Sequence, residues 1–284
     1  MPEPAPLGSR RSRILGGSGD GGGRSIAIAV ASTVVFFGLI ALLVTSSPGW
    51  PEVKQAFFSR EAFSDAFPDI VRAFGLNIRI FLVAEVFILV FALLLAVLRS
   101  IPGPVFFPLR ALAVAYTDLF RGIPTILVIY ILGFGAPALQ ISGVPRSPFF
   151  WGVVSLVLVY SAYVAEVYRA GIESVHPSQE AAARSLGLSR PQALRFVILP
   201  QAVRRVVPPL LNDFIGLQKD SALVALIGPV EAFRQSQIEV AGSFNYTPYL
   251  ATALLFVLLT IPLARFTDWL VARNRRRELA AGGR

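Results

Sequence analysis

Six long apolar runs alternate with polar connections along the chain, and each run is about long enough for one helix to cross a membrane. The pattern predicts an all-α polytopic membrane protein with about six transmembrane helices. The predicted spans are 25–45, 76–98, 111–134, 149–168, 206–227 and 249–271. The third span is interrupted by the run from Arg121 to Pro124, and the fifth is less apolar than the others.

Composition divides the rest of the chain into tails and connections. Residues 1–24 are rich in Gly, Pro, Ser and Arg without apolar periodicity, and we expect a disordered tail there. The run 25–45 is longer than a usual signal-peptide core and lacks a convincing cleavage site, which favours a retained N-terminal span. Residues 46–75 form an extracytoplasmic connection, 76–271 form the main membrane domain, and 272–284 form a basic cytoplasmic tail.

The basic residues indicate which side of the membrane each connection faces. The chain has a formal charge of +9, with 55% hydrophobic and only 15% charged residues. Lys and Arg number 17 in one set of tails and connections and five in the opposite set. Because positive charge accumulates on the cytoplasmic side, both termini and the connection 169–205 are predicted to be cytoplasmic. The arginine-rich tail then sets topology and contacts anionic lipid headgroups, and a nucleic-acid partner is not predicted.

Several kinds of chemistry lack the residues that they need. There are no cysteines, so the chain can form neither disulfides nor thiolate metal sites. The single histidine, His176, leaves little for histidine-based metal binding or catalysis, and we interpret it as a solvated loop residue. The sequence contains no G-x-x-x-x-G-K-[ST] loop to hold a nucleotide phosphate. No metal site and no catalytic residue is therefore predicted.

The polar stretch 178–200 lies between two predicted spans and has the pattern of helix, turn and helix. We expect Ser178 to cap the first helix, with Glu180 in its first turn, where the helix dipole favours an acid. Gly187 supplies the permissive backbone that ends a helix in a left-handed turn. Ser189 is expected to cap the second helix, and Pro200 to close it.

This stretch resembles the EAA loop of binding-protein-dependent ABC transporter permeases. In that loop Glu-Ala-Ala is followed by Gly and then by Ile-x-Leu-Pro, and Val197 stands where Ile is usual. In one departure, the family's Glu falls on Ala181, and the acid of this chain is one position earlier, at Glu180. By this resemblance the ATPase-coupling residues are Ser178, Gln179, Glu180, Ala181, Ala182, Ala183, Arg184, Gly187, Leu199 and Pro200.

Other motifs narrow the resemblance to the polar amino acid uptake branch, of the histidine, glutamine and arginine type. Residues 162–166 read Ala-Tyr-Val-Ala-Glu, and 199–204 read Leu-Pro-Gln-Ala-Val-Arg. Residues 219–223 read Lys-Asp-Ser-Ala-Leu, which is similar to the Lys-Asp-Thr-Ser-Leu of that branch. Residues 116–124 carry its Tyr-x-Asp-x-Phe-Arg-Gly-x-Pro pattern. The resemblance covers roughly 70–269.

The resemblance implies a five-helix ABC importer permease core with an extra N-terminal span and a cytoplasmic coupling helix within 177–200. It implies a non-enzymatic transport subunit in the cytoplasmic (inner) membrane of a prokaryote, which translocates polar amino acids. The implied partners are ABC ATPase subunits, an extracytoplasmic amino-acid-binding protein and a second permease subunit, identical or homologous. The chain needs no cofactor of its own, since ATP and Mg²⁺ are bound by the ATPase.

Charged side chains inside the predicted spans form a second group of candidates, because ionisable groups at membrane depth are costly and usually face a cavity or a partner. The candidates for the translocation pathway or for gating are Glu85, Arg121, Asp213, Lys219 and Asp220. The alternative for each is a structural ion pair, and for Lys219 and Asp220 a structural or gating role is preferred to substrate binding. Glu166 and Arg169, at the cytoplasmic end of the fourth span, are expected to pair with each other. A self-sufficient ion-coupled secondary transporter or channel is the alternative function.

Overall fold

The computed structural model describes residues 22–101 and 103–282, and within these residues the chain is helical without a β-strand. The predicted tail 1–24 therefore lies almost wholly outside the described residues. The chain divides into two units, Met1–Phe58 and Ser59–Arg284. The first unit holds α1 (Gly22–Thr45) and α2 (Trp50–Phe57). In α1 the apolar side chains are mostly exposed, as expected of a helix that faces lipid.

The second unit is a bundle of helices around one large apolar core. Its α-helices of four or more residues are α3 (Arg60–Ser100), α4 (Phe107–Gly122), α5 (Thr125–Tyr130), α6 (Pro148–Glu173), α7 (Pro177–Ser185), α8 (Arg190–Ala193), α9 (Leu199–Asp220), α10 (Ala232–Ser243) and α11 (Thr247–Gly282). A π turn (Ile131–Gly135) and a short helix (Ala136–Ala138) continue α5, and a 3₁₀ turn (Ser221–Ile227) follows α9. Side chains from α3 and α6, such as Ile80, Ile88 and Leu156, form the centre of the core. The fold is therefore organised around the packing of α3 against α6.

The candidate spans differ in part from the predicted ones. Among the described residues, four helices are long and apolar enough to cross a membrane. A fifth candidate consists of α4 and the helical run Thr125–Ala138, which begins with α5, and it is bent by 104° between the two parts. The bend follows Gly122 and includes Pro124, so the predicted interruption of the third span is confirmed. The predicted span 206–227 is not among the five candidates. There the chain forms the polar end of α9, with Asp213 and Lys219, followed by the 3₁₀ turn.

The helix of the second predicted span begins well before residue 76. It starts at Arg60, because Ser59 Oγ accepts a hydrogen bond from Ala62 N at 3.2 Å and so caps it. Ser59 N in turn donates to Thr247 Oγ1 at 3.1 Å, which joins the starts of α3 and α11. At the other end of the chain, α11 continues beyond residue 271 to Gly282.

Two glycines allow close helix packing around α6. A Cβ built at Gly152 would lie 2.3 Å from Val224 Cγ1 of the 3₁₀ turn, and one at Gly171 would lie 2.0 Å from Val206 Cγ1 of α9. Since real Cβ contacts are never that short, a larger residue at either site would force the elements apart. The second contact matters most for function, because it fixes α9 beside the end of α6 that leads to α7.

Candidate functional site

The polar loop between α6 and α9 is built as a short, tightly terminated helix. His176 Nδ1 accepts from Ser178 N at 3.2 Å, so His176 is the N-cap of α7 and Pro177 occupies its first position. The predicted cap at Ser178 is therefore wrong, because the helix starts at Pro177, two residues earlier than a cap at Ser178 would place its first residue. The exposed position of His176 agrees with its interpretation as a solvated loop residue.

The end of α7 confirms the predicted glycine turn. Gly187 has φ of +89°, its N donates to Arg184 O at 3.0 Å, and Leu188 N donates to Ala183 O at 3.2 Å. These two bonds are the pair that ends a helix in a left-handed glycine turn. After this turn the chain enters the second short helix, α8. Ser189, the N-cap residue of α8, donates from its backbone N to Gln192 Oε1 at 2.9 Å, as a capping box requires.

Pro200 does not close the second helix. The helical path continues from α8 through a π turn (Leu194–Ile198) into α9, with Pro200 in its first turn. A proline lacks the N–H that an α-helix interior needs, and the wider π turn just before it accommodates that loss. One consequence is that α9 is a continuous extension of the loop, so the loop and the membrane bundle share one helix.

Within the loop, one face is packed and the opposite face is exposed. Ala183 and Ala193 are buried, whereas Ala181 and Ala182 are exposed. Glu180 Oε1 lies 3.6 Å from Arg190 Nε, so the acid that is displaced from its usual family position pairs with the second helix. The loop thus presents a smooth alanine surface outward while ion pairing and packing hold its two helices together.

Directly beside this loop lies a polar cavity of about 490 Å³ between α4, α6 and α9. It is lined by both apolar and charged side chains, including Arg121, Tyr163, Glu166, Arg205 and Asp213. The Arg121 guanidinium lies 5.9 Å from the centre of the Tyr163 ring, a cation–π distance. Asp213 Oδ2 is buried and has no hydrogen-bond partner among the described residues. The cavity therefore holds a cation and an acid with free bonding capacity.

The structure brings together some of the predicted pathway residues and separates others. Arg121 and Asp213 line the same cavity, and Glu85 of α3 is close enough to Asp213 to interact with it electrostatically. Asp220 accepts a hydrogen bond from Tyr160 OH at 2.9 Å. Lys219 is exposed and lines a different, mostly apolar cavity near α10 and α11. Roles in the pathway or in gating stay predictions for all five residues.

Two charged residues that line the cavity, Arg121 and Glu166, form a group with Arg99 and Arg169 that we call the charge junction. Arg169 donates to Glu166 Oε2 from Nη2 at 2.8 Å and from Nε at 3.0 Å, which confirms the predicted pair within α6. Arg99, in the last turn of α3, forms an ion pair with Glu166 Oε1. Arg121 Nη1, in the last turn of α4, lies 4.0 Å from Oε2. One carboxylate thus faces arginines from three helices.

A second polar network, which the sequence did not indicate, lies deep in the bundle. Glu231 is fully buried and is the N-cap of α10, accepting from Arg234 N at 2.7 Å and Phe233 N at 3.0 Å. Asn77 of α3 donates to Glu231 Oε2 at 2.7 Å and accepts from Ala232 N at 3.0 Å. We call this the Asn77–Glu231 clasp. Burial raises the pKa of Glu231, and these hydrogen bonds partly oppose that effect.

The bundle of apolar helices, with a bent candidate span and an exposed polar helix between two of its helices, is the architecture of a polytopic membrane protein. Comparison with known proteins gives the family. The chain matches the family described as "Binding-protein-dependent transport system inner membrane component" over residues 88–276. The chain therefore belongs to this family of ABC importer permeases, and the resemblance predicted from the EAA-type loop is confirmed.

The curated relatives are permeases, and the match covers most of the length of each. The chain is 33% identical over 202 residues to the "Probable amino-acid permease protein YxeN" of Bacillus subtilis, covering 71% of this chain and 89% of the relative. It is 36% identical over 170 residues to the "Probable glutamine ABC transporter permease protein GlnM" of the same species, covering 60% and 77%. A solved structure titled "Crystal structure of an amino acid ABC transporter with histidines" matches with a TM-score of 0.68 and 29% identity, covering 76% of this chain and 98% of that one.

Proposed function

We propose that this chain is the membrane-spanning permease subunit of an ATP-driven importer for polar amino acids. The observation that carries the proposal is the loop formed by α7 and α8, in which the glycine turn at Gly187 ends α7 and α8 continues directly into α9. Such a loop is suited to dock on a separate ATPase, whose binding and hydrolysis of ATP and Mg²⁺ would move α7. The chain itself then catalyses no reaction and needs no cofactor.

The polar cavity supports an amino acid as the solute. Arg121 and Arg205 are at the cavity wall and suit a carboxylate, and the unpaired oxygen of Asp213 suits an ammonium group. The names of the relatives, an amino-acid permease and a glutamine permease, agree with this assignment. We therefore assign Arg121 and Asp213 to the translocation pathway, with Glu85 as the neighbouring acid that tunes it.

The importer would work with an extracytoplasmic amino-acid-binding protein, ABC ATPase subunits and a second permease subunit, identical or homologous. Both termini and the α7–α8 loop would face the cytoplasm, as the distribution of Lys and Arg predicts. This topology places the loop on the side where ATP is available. It also places the start of α3 and the loop before α6 on the side where a binding protein would deliver the solute.

The test is uptake of labelled amino acids into vesicles that contain the chain, its candidate ATPase and the binding protein. Gly187→Val forces a β-branched residue to adopt φ of +89° and should lower ATP-dependent uptake by about tenfold or more. Gly143→Val is the matched control in the loop before α6. Gly143 has φ of +83°, and a Cβ added to it would, as at Gly187, meet nothing within 4 Å. The control should retain uptake.

Two outcomes would contradict the proposal. Uptake that persists without the ATPase and follows an ion gradient would support the secondary-transporter alternative. Equal losses of uptake in Gly187→Val and Gly143→Val would show that strained glycine turns matter for folding in general, and the coupling role of the α7–α8 loop would then lose its support.

A further inference from the structure

The connection between α6 and α7 is short and firmly held. Only three residues separate Glu173, the last residue of α6, from Pro177, the first of α7. Ser174 N donates to Ala170 O at 3.0 Å, and Ser174 Oγ donates to Gly171 O at 2.6 Å. Arg205 of α9 donates to Ser174 O, and Val175 is buried. Because this connection has little freedom, a movement of α7 must also move α6.

The charge junction is the point where α6 is joined by ion pairs to α3 and α4. Glu166 is the acid in this junction, and its side chain is 16% exposed, as Arg99 is 15% exposed. Within residues 22–101 and 103–282, Arg99 forms an ion pair with no other acid. Removal of the Glu166 carboxylate would thus leave α6 without a charged contact to the last turn of α3, while the apolar packing of the two helices would remain.

We propose that Glu166 is the positioning residue that passes the movement of α7 to the ends of α3 and α4. This inference rests on the proposed function, since it assumes that an ATPase moves α7. The carboxylate keeps Arg99 and Arg169 in hydrogen-bond contact, and it holds Arg121 at the rim of the cavity at a longer distance of 4.0 Å. A displacement of α6 therefore changes the position of a cavity-lining arginine as well as the end of α3.

Glu173 supplies a matched control on the same helix. It also forms an ion pair with Arg169, but its side chain is 61% exposed and it contacts neither Arg99 nor Arg121. A general effect of losing a negative charge near α7 would appear in both Glu173→Gln and Glu166→Gln. An effect that depends on joining α6 to α3 and α4 would appear only in Glu166→Gln.

The experiment measures ATP hydrolysis and amino acid uptake together in the reconstituted complex. In Glu166→Gln we expect hydrolysis to continue while the amino acid taken up per ATP falls by about tenfold, since hydrogen bonds to charged groups are lost. Glu173→Gln should keep the wild-type ratio, and Glu166→Asp should recover part of it. Arg99→Gln removes the same contact from the other side and should also lower the ratio.

A wild-type ratio in both Glu166→Gln and Arg99→Gln would overturn the inference. So would an equal loss in Glu173→Gln. If the wild-type complex shows no ATP-dependent uptake, the proposed function fails instead, so the two failures are distinguishable.

Distance measurements test the same inference without removing any charge. The chain contains no cysteine, so cysteines placed at Ser100 and Ser185 can be labelled specifically. Both residues are exposed, one at the end of α3 and one at the end of α7. The distance between the two labels should stay the same with and without ATP, because the charge junction makes the two ends move together. A change of several ångströms on addition of ATP would contradict the proposal, whether or not the variants fold.

Discussion

Glu166 in the charge junction and Glu231 in the Asn77–Glu231 clasp are held in opposite ways. Glu231 is fully buried and accepts hydrogen bonds from two backbone N–H groups and one side-chain amide. Glu166 is partly exposed and faces only the guanidinium groups of arginines on long side chains. Their partners on α3, Asn77 and Arg99, are about 33 Å apart along the helix axis.

The difference indicates which part of the bundle is rigid and which can rearrange. Backbone donors at the start of α10 cannot turn away, so the clasp has one geometry and fixes α10 to α3. Arginines can exchange partners at small cost, because a partly exposed guanidinium still reaches water. We therefore expect the clasp to contribute to stability and the charge junction to contribute to transport.

The largest effect on stability should come from Glu231→Ala. This change removes the acceptor that Asn77, Phe233 N and Arg234 N share, and it leaves a cavity where the buried carboxylate was, at a cost of roughly 3 kcal/mol. Thermal unfolding in detergent should show a clear fall in the midpoint. Glu239→Ala, on the same helix but bonded to Gln235, is the control and should change the midpoint little. Equal unfolding midpoints in the two variants would contradict the prediction that the Asn77–Glu231 clasp stabilises the fold.

A smaller loss of stability is expected from Gly171→Ala. The added methyl group would collide with Val206 and force α6 away from α9 beside the cavity, which costs about 1–3 kcal/mol. Val206→Ala combined with Gly171→Ala should recover most of the loss. Gly75→Ala is the control, because its Cβ meets nothing within 4 Å and alanine favours the helix. Failure of the double variant to recover would show that the contact is not the cause.

The pH dependence of the unfolding midpoint should reveal the contribution of the buried Glu231 to stability. Burial raises the pKa of Glu231 above its ordinary value of 4.5, so the folded state binds this proton more tightly than the unfolded state does. The contribution of this group to stability is therefore complete below pH 4.5 and falls as the pH rises through the folded-state pKa. Glu231→Gln removes this fall, so its midpoint relative to wild type should rise with pH. A constant difference across the same pH range would contradict this prediction.

The smallest effect on stability is expected from Glu166→Gln. The amide oxygen of the glutamine can still accept from Arg99 and Arg169, and the apolar packing of α6 is unchanged, so the unfolding midpoint should fall by less than in Glu231→Ala. A loss as large as that of Glu231→Ala would show that the charge junction stabilises the fold. Glu166 and Glu231 would then contribute equally to stability, and the different roles that we assign to them would lose their support.

Local patterns in the sequence predicted much of the fold and of the coupling loop. The apolar runs indicated the membrane helices, and the Gly187 turn, the Ser189 cap and the Glu166–Arg169 pair were all expected from residues a few positions apart. The interruption near Pro124 was also expected. Each of these features is determined by neighbouring residues, so a single sequence contains the necessary information.

Contacts between distant residues could not be predicted in this way. Asn77 and Glu231 are 154 positions apart, and Arg99 and Glu166 are 67 positions apart. Glu231 caps a helix in the protein interior, and the only local signal of this is its place shortly after the glycine turn at Gly228. The cavity that holds Arg121 and Asp213 likewise depends on how α4, α6 and α9 pack, which local periodicity does not determine.

The length of α3 has a consequence for how a solute reaches this protein. Its 41 residues extend about 60 Å, whereas the hydrocarbon core of a membrane is about 30 Å thick. The first part of α3 carries Arg60, Asp65 and Asp69, so this polar end is the part that stands above the lipid. There Ala66 and Ile70 pack with Ala232 and Ala251 in a separate small core. This end of α3 is therefore long enough to project beyond the hydrocarbon core together with the small core. In the proposed topology it projects on the side where a binding protein would deliver the solute.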